Sequence, residues 1–209
     1  MIRAIKNGIS AILARIFAKK KELKIGIYGP VNSGKTTLAN RICMDWLGEE
    51  LGTVSHIPHE TRKVQYKENV EIKSGRKALK FTIVDTPGIA TKIDYEDFLK
   101  YGMRTKDAKQ RAKDATKGVI EAIKWLDKMD LVLVVLDSTK DPLTQVNITI
   151  LGNLDARDIP FILVANKIDM SNSKVGKIKA AFPNYKCIGI SAKTGANINE
   201  LYKEIVKMV

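Results

Sequence analysis

Cysteine is scarce in this chain of 209 residues, which contains only Cys43 and Cys187. Two thiols so far apart exclude a disulfide framework and a cysteine-rich zinc site, and they predict reduced side chains in a reducing compartment. Long apolar runs are also missing, because no uninterrupted stretch approaches the ~20 residues that span a bilayer. The basic start does not read as a signal peptide, since Arg15 interrupts its apolar stretch and no small-residue cleavage site follows. We therefore predict a cytoplasmic protein.

Acidic residues are few relative to basic ones. The chain has 23 Asp and Glu against 36 Lys and Arg, which gives a formal net charge of +13. Such a balance predicts an anionic partner, either nucleic acid or an acidic membrane surface. A lysine-rich surface kept soluble by self-repulsion explains the same balance. A hydrophobic fraction of 44% predicts a folded domain with a substantial core.

Residues 1–21 have the pattern of an amphipathic helix. Isoleucines recur at steps of three and four, at Ile2, Ile5, Ile9, Ile12 and Ile16. Lysine and arginine occupy other positions, and no acid occurs before Glu22. Three interpretations remain open. In the first, the helix packs on the domain that follows. In the second, it lies on an anionic membrane surface and makes the chain a peripheral membrane protein. In the third, it pairs with a partner or a second copy.

From residue 22 to residue 209, short apolar runs alternate with helical patterns, which predicts a single further domain. Strands are predicted at residues 23–28, 64–72, 79–84, 131–136, 161–165 and 187–190. Helices are predicted at residues 35–47, 117–128, 144–156, 174–182 and 198–208. This alternation predicts an α/β fold, a doubly wound and mostly parallel six-stranded sheet with helices on both faces. Residues 91–117 form a long charged segment without a clear place in the core.

A glycine-rich loop lies between the first predicted strand and the first predicted helix. It reads Gly29-Pro30-Val31-Asn32-Ser33-Gly34-Lys35-Thr36, followed by Thr37, and matches the phosphate-loop pattern G-x-x-x-x-G-K-[ST]. Its glycines let backbone N–H groups and the helix N-terminus face phosphate oxygens. Lys35 is predicted to neutralise the β- and γ-phosphates, and the Thr36 hydroxyl to bind Mg²⁺. The flanking strand and helix disfavour the alternative, a chance Gly-Lys-Thr in a turn.

A carboxylate, Asp85, ends the predicted strand that precedes Thr86-Pro87-Gly88. Beside a phosphate loop such a buried charge is costly unless a cation or water compensates it, and Mg²⁺ held through water is the expected compensation. Gly88 can bring its N–H close to the γ-phosphate, so that hydrolysis would release the following segment. The alternative is that Asp85 only caps the turn at Thr86.

Two short runs follow the last two predicted strands. They are Asn166-Lys167-Ile168-Asp169 and Ser191-Ala192-Lys193. Asp169 can accept two hydrogen bonds from guanine, whereas adenine would leave this charged acceptor unpaired. Asn166 contacts the other edge of the base or braces neighbouring loops, and the Lys167 stem covers the ring. The second run supplies backbone donors near the guanine carbonyl. The predicted ligands are therefore GTP and GDP.

In this order, these four runs resemble the motifs of the translation-factor-related P-loop GTPases, and most of all those of the Era and MnmE group, over residues 23–209. The resemblance implies an enzyme that hydrolyses GTP to GDP with Mg²⁺. Asn32 matches the asparagine that coordinates K⁺ beside the phosphates in potassium-activated members, although it can also brace the loop. Ile89 occupies the position of the water-orienting glutamine of Ras-like proteins. Unless Ile89 is simply a core residue, we expect slow basal hydrolysis that K⁺, dimerisation or a partner accelerates.

The first switch is predicted within residues 53–62. Thr61 is the expected Mg²⁺ ligand there, together with Thr36 and Asp85, and Thr53 is the alternative. His56 and His59 are interpreted as solvated loop residues. The predicted catalytic residues are Lys35, Asn32, Thr61 and Gly88.

The chain also departs from the group's pattern. Era continues into an RNA-binding domain and MnmE flanks its GTPase domain with others, and we expect neither here. Residues 1–21 and 91–117 are additional, and the second segment is either a nucleotide-sensitive partner surface or a solvated helical extension. The leading hypothesis is a GTP-hydrolysing switch, with a nucleotide-dependent homodimer as one form. An RNA- or ribosome-associated factor and a membrane-recruited regulatory GTPase are the alternatives.

Overall fold

The computed structural model describes residues 22–47, 65–74, 77–86, 96, 99–100 and 102–208. Strands lie at β1 Glu22–Tyr28, β2 Gln65–Ser74, β3 Lys77–Asp85, β4 Leu131–Asp137, β5 Phe161–Asn166 and β6 Cys187–Gly189. They form one sheet in the order β2-β3-β1-β4-β5-β6. The β2–β3 pair is antiparallel, and the other neighbouring pairs are parallel. The predicted six-stranded, mostly parallel sheet is confirmed.

Helices connect these strands. Within the described ranges they are α1 Lys35–Leu47, α2 Thr105–Trp125, α3 Gln145–Asp155, α4 Val175–Ala181 and α5 Ile198–Met208, with a short 3-10 helix at Leu126–Lys128. Thr144 caps α3, because its side chain accepts a hydrogen bond from the Asn147 N–H at 3.3 Å. The bounds predicted for α1 and α5 are confirmed, and those of α3 and α4 differ by one residue at each end. None of these helices is long and apolar enough to cross a membrane.

The start of α2 corrects the prediction. A helix was expected from residue 117, but α2 begins at Thr105 and takes in part of the charged segment at 91–117. Its buried positions are Ala108, Arg111, Ala115, Gly118 and Ala122. They recur at steps of three and four, as a packed helix requires. Alanine, glycine and arginine give little hydrophobic signal, so the apolar pattern did not reveal this part of the helix.

Two apolar clusters cover the two faces of the sheet. In β1, Ile25 and Ile27 point to one cluster, where α1 and α5 pack, and Tyr28 points to the other, which contains residues of α2, α3 and α4. All seven residues of β4 are buried, as expected for a strand that is covered on both sides. Helices therefore pack on both faces of the sheet, as predicted. The carboxyl ends of β1, β3, β4 and β5 meet at one edge.

Several predictions fall on residues outside the described ranges. These are the amphipathic helix at 1–21, the first switch with Thr53, His56, His59 and Thr61, and the second-switch positions Gly88 and Ile89. They stay predictions.

Candidate nucleotide-binding site

The candidate site lies where the parallel strands end. Ile27 is in register with Asp85 across β1 and β3, and Asp137 with Asn166 across β4 and β5. The phosphate loop leaves β1 at Gly29, next to these positions. Ligands of open α/β sheets bind at the carboxyl ends of the strands. The fold thus brings the predicted phosphate, metal and base residues to one edge.

Two glycines and one asparagine give the phosphate loop its shape. Gly29 has a φ of 149°, Gly34 of 95° and Asn32 of 60°. A Cβ on Gly29 would lie 2.2 Å from the Val135 carbonyl oxygen, and a Cβ on Gly34 would lie 2.2 Å from the Asn166 Nδ2. No side chain fits either space. The loop is therefore curled tightly over the start of α1, where the N–H groups of a helix are free to bind an anion.

Lys35 carries a buried positive charge at the first position of α1. Its side chain is 6% exposed, and its Nζ donates a hydrogen bond to the Pro30 carbonyl at 2.8 Å. Burial lowers the pKa of Lys35 to about 8, although the nearby Asp85 carboxylate acts in the opposite direction. A desolvated ammonium beside curled backbone amides matches the phosphates of a nucleotide.

Asp85 and Thr36 form the candidate metal site. The Thr36 hydroxyl donates to Asp85 Oδ2 at 2.6 Å, and Asp85 is fully buried. The second carboxylate oxygen, Oδ1, has no hydrogen-bond partner within the described residues. Burial raises the pKa of Asp85 to about 6, against the opposing effects of Thr36 and Lys35. A buried carboxylate oxygen that lacks a donor, next to a hydroxyl, fits the oxygen ligands that Mg²⁺ prefers.

Thr86 has a separate structural role. Its hydroxyl donates to the Ile27 carbonyl at 2.8 Å and ties the end of β3 to β1. In the described residues, the Asp85 side chain is hydrogen-bonded to Thr36 in α1. The turn after Thr86 lies outside the described ranges, so the cap interpretation of Asp85 stays a prediction.

Asn166 joins two loops. Its Nδ2 donates to the Ser33 carbonyl at 2.9 Å, and its Oδ1 accepts from the Ala192 N–H at 2.9 Å. Asn166 is buried, so both bonds lie away from solvent. Of the two roles open for Asn166, the structure favours bracing. Asn166 therefore occupies the Ala192 N–H, which the sequence had suggested as a donor to the base.

Lys167 links the run at residues 166–169 to the phosphate loop. Its Nζ donates to the Asn32 carbonyl at 2.8 Å and to Asp137 Oδ2 at 2.6 Å. Asp137 is 8% exposed, and its Oδ1 accepts from the Thr139 N–H and hydroxyl at 3.0 and 2.7 Å. Burial acts to raise the pKa of Asp137, but the bonds from Lys167 and Thr139 together hold it below its ordinary value.

Asp169 lies in the turn that follows β5. The Ile168 N–H donates to the Ile190 carbonyl at 3.1 Å, and the Met170 N–H donates to the Lys167 carbonyl at 3.0 Å. The first bond places this turn beside the loop at residues 191–193. Asp169 is exposed, so its carboxylate is accessible to a base that approaches from solvent.

Two site residues were missed at the sequence level, Asp137 and Arg41. Arg41, on α1, donates from Nε to the Ala192 carbonyl at 3.3 Å and from Nη2 to the Lys193 carbonyl at 2.9 Å. The signal for Asp137 was its position directly after a buried apolar run, the same signal that identified Asp85. Arg41 gave no signal, because a basic residue on a helix normally faces solvent.

Family comparison decides the class of this site. The family model described as 50S ribosome-binding GTPase matches residues 24–167. This chain belongs to that GTPase family. The match includes the phosphate loop, Asp85 and Asn166, all of which the structure places at one edge of the sheet. Membership makes the chain a GTP-binding and GTP-hydrolysing domain.

Individual relatives agree with this assignment. GTPase Der of Nautilia profundicola is 29% identical over 193 residues, which cover 89% of this chain and 36% of Der. The structure of Aquifex aeolicus Era bound to GDP·AlF4⁻ matches with a TM-score of 0.69 and 25% identity, covering 91% of this chain and 57% of that one. A second Era structure, in complex with MgGDPNP and a segment of 16S ribosomal RNA, matches with a TM-score of 0.67 and 24% identity. The match covers 90% of this chain and 57% of that one, and it shows the fold alone.

The relatives support the broader class. Der and Era are both similar to this chain, so a translation-factor-related P-loop GTPase is established. The narrower assignment to the Era and MnmE group stays a prediction. The chain spans only 36% of the length of the Der relative, so the activity and partners of the whole relative are not transferred.

The bracing by Asn166 gives a stability prediction. Asn166→Ala removes the partners of the Ser33 carbonyl and the Ala192 N–H, both in buried hydrogen bonds. Buried groups left without partners cost ~1–3 kcal/mol each. We expect the free energy of unfolding of the nucleotide-free protein to fall by at least ~2 kcal/mol, as measured by urea denaturation.

The matched control is Asn153→Ala. Among the described residues, the Asn153 amide bonds only the Thr149 carbonyl one turn away, at the surface of α3. Its loss is expected to change stability by no more than ~0.5 kcal/mol. Equal effects of the two substitutions would contradict a bracing role for Asn166.

Proposed function

We propose that this chain is a Mg²⁺-dependent molecular switch that binds GTP and hydrolyses it to GDP. One observation carries the proposal. A buried ammonium at Lys35 and a buried carboxylate oxygen of Asp85, which has no donor among the described residues, lie beside the same curled loop. The first requires an anion and the second a cation. Magnesium bound to a nucleoside triphosphate supplies both.

In this proposal the residues of the loop have separate tasks. Backbone N–H groups of residues 31–37 hold the α- and β-phosphates, and Lys35 neutralises the β- and γ-phosphates. Thr36, Asp85 and the predicted Thr61 hold Mg²⁺, which when bound offsets the negative charge that develops on the phosphates. The Gly88 N–H is proposed to contact the γ-phosphate, so that hydrolysis releases the segment after Gly88.

The base is read by a different set of residues. Asp169 is proposed to accept both guanine donors, while Lys167 covers the ring from a position fixed by the Asn32 carbonyl and Asp137. Asn166 holds the loop at Ser191, Ala192 and Lys193 against the phosphate loop. The loops that contact guanine in this proposal are thus already joined to the phosphate loop by side-chain hydrogen bonds.

A direct assay tests this function. We expect calorimetric titration to show binding of GTP and GDP but not of ATP, and phosphate release from GTP to require Mg²⁺. Phosphate release that is unchanged in EDTA would contradict the metal site. Uptake of ATP as tight as that of GTP would contradict the base assignment.

Asn32 is proposed to coordinate K⁺ beside the phosphates. Its side chain is exposed and makes no hydrogen bond within the described residues, so bracing of the loop has no partner there. We expect GTP hydrolysis to be faster in KCl than in NaCl. Asn32→Gly should remove this stimulation and leave GTP affinity within about twofold, because glycine also adopts the left-handed backbone of residue 32.

The matched variant is Asn32→Asp, which keeps an oxygen ligand and the same backbone preference. It is expected to retain a K⁺ response. If Asn32→Gly responds to K⁺ as strongly as the wild type does, the potassium site is discarded. Loss of GTP binding in Asn32→Gly would instead assign residue 32 to nucleotide binding.

We further propose slow basal hydrolysis that K⁺, a partner or a nucleotide-dependent homodimer accelerates, since Ile89 cannot polarise water. Sedimentation of the protein with GDP and with GDP·AlF4⁻ tests the dimer. A sedimentation coefficient that is the same with both ligands would contradict the nucleotide-dependent homodimer.

A second candidate function is association with RNA or the ribosome. The net charge of +13 supports it. The name of the family, 50S ribosome-binding GTPase, supports it as well. Retention of RNA whose affinity falls steeply with salt is the expected result.

A further inference from the structure

One face of α2 carries a row of four exposed lysines, Lys106, Lys113, Lys117 and Lys124. We call them the α2 lysine row. They are spaced by seven, four and seven residues, which correspond to about two, one and two helical turns. They therefore lie above one another along the helix. At ~1.5 Å per residue, the row is about 27 Å long.

The row lies opposite the buried face of α2. Ala108, Ala115 and Ala122 are fully buried, and each is offset from the lysines by about half a helical turn. The helix is also held at its far end, because the Tyr28 hydroxyl donates to the Ala122 carbonyl at 2.8 Å. Tyr28 immediately precedes the phosphate loop. The lysine row thus lies on a helix whose far end is hydrogen-bonded to the residue just before the phosphate loop.

Few acidic side chains lie near the row, where Glu121 is about one turn from both Lys117 and Lys124. No ion pair joins any of the four lysines to a described carboxylate, whereas at least five lysines elsewhere in the described ranges are paired. Those five are Lys24, Lys167, Lys186, Lys203 and Lys207. On α2 itself, Asp107 pairs with Arg104, and Asp114 accepts from Gln110. Lys113 and Lys117 repel each other at a spacing of four residues. Such a row favours an extended anion.

The composition of the row favours nucleic acid over a membrane. A helix that lies in a membrane interface needs an apolar face for the lipid, but the apolar face of α2 is packed on the sheet. Between the lysines the one large exposed hydrophobic side chain is Ile120, at 51% exposure. A phosphodiester backbone requires only cations at intervals along a line.

We propose that the α2 lysine row binds the phosphodiester backbone of RNA without reading its sequence. This inference rests on the second candidate function above and names the surface that performs it. It does not depend on GTP hydrolysis, because none of the four lysines belongs to the nucleotide site.

The test compares two variants of the full chain that lose the same charge. In the first, Lys106, Lys113, Lys117 and Lys124 are all changed to Gln, which preserves helix propensity. In the control, four exposed lysines elsewhere are changed to Gln: Lys140, Lys174, Lys177 and Lys179. Binding of a fluorescent 20-nucleotide RNA is measured by anisotropy from 50 to 200 mM KCl. GTP hydrolysis is measured for every protein.

Each phosphate contact contributes ~0.7–0.9 to the slope of log K against log salt concentration. We expect the row variant to reduce the slope by about 3 and to weaken binding by at least about tenfold at 100 mM KCl. The control should reduce the slope by less than about 1. Hydrolysis should be unchanged in both variants, which shows that the fold and the nucleotide site are intact.

The other outcomes overturn separate statements. If the wild-type protein binds no RNA, the second candidate function and this surface both fail, while the GTPase proposal stands. If the wild type binds RNA and the two variants lose equal affinity for it, the assignment to the α2 lysine row is wrong. The second candidate function, association with RNA, then stands. If the row variant keeps RNA binding but loses binding to phosphatidylserine vesicles, the surface serves a membrane and the proposal is replaced.

Discussion

Asp169→Asn is expected to lower the affinity for GTP by about 100-fold to 1000-fold and to raise the affinity for xanthosine triphosphate. The carboxylate of Asp169 is proposed to accept from two guanine donors, and hydrogen bonds to a charged group contribute ~1.5–3 kcal/mol each. Two such bonds amount to ~3–6 kcal/mol. Because the asparagine oxygen still accepts one weaker bond, we expect a net loss of ~3–4 kcal/mol, and each ~1.4 kcal/mol is a factor of ten. An amide in place of the carboxylate offers an N–H donor, which matches the carbonyl that xanthine has instead of the guanine amine.

Calorimetric titration of wild type and variant with GTP, XTP and ATP measures this change. The control is Asp158→Asn, since Asp158 is an exposed aspartate with a left-handed φ of 52° that asparagine also adopts. The control should bind GTP like the wild type. A variant that still prefers GTP to XTP would show that another residue reads the base.

The strands and the phosphate loop were predictable because their signals are local. Residues 131–136 are apolar at every position, and β4 is buried at every position. The phosphate loop is a contiguous motif between a strand and a helix, and its glycines occupy the places where a Cβ would collide. Asp85 ends a strand in sequence and in structure. In each case the physical requirement acts on neighbouring residues.

The rest depends on contacts between distant residues. Lys167, one partner of Asp137, is 30 residues away, and Ala192, a partner of Arg41, is 151 residues away. No local pattern records these two pairings. The first half of α2 was missed for a different reason. Its buried face consists of small residues with Arg111, so close packing replaces hydrophobic side chains there. The hydrophobic pattern detects a face only when that face carries large apolar groups.

These distant contacts have a common effect on the site. Asn166 joins the phosphate loop to the loop at residues 191–193. Lys167 joins the phosphate loop to Asp137. Arg41 joins α1 to the same loop at residues 191–193. The phosphate and base regions are thus held together by side-chain bonds before a nucleotide binds. A pre-organised site loses less conformational entropy on binding, so more of the contact energy appears as affinity.

Lys35→Met is expected to abolish measurable GTP binding without destabilising the nucleotide-free protein. Lys35 is buried with the Pro30 carbonyl as its hydrogen-bond acceptor, and burial alone disfavours its charge, as the lowered pKa of about 8 shows. The charge is therefore a cost to the ligand-free fold, and the triphosphate offsets it. Methionine has a similar length without the charge, so the variant should unfold at the same temperature as the wild type or higher.

Thermal unfolding with and without Mg²⁺-GTP separates the two effects. At a GTP concentration of about 100 times Kd the wild type gains ~2.7 kcal/mol from binding, and this gain should disappear in Lys35→Met. Lys193→Met is the control for an exposed lysine on the other side of the site, and it should keep most of the gain. If Lys35→Met lost stability without ligand and kept the gain with GTP, Lys35 would be a structural residue. Binding would then have to depend on the backbone amides of the loop alone.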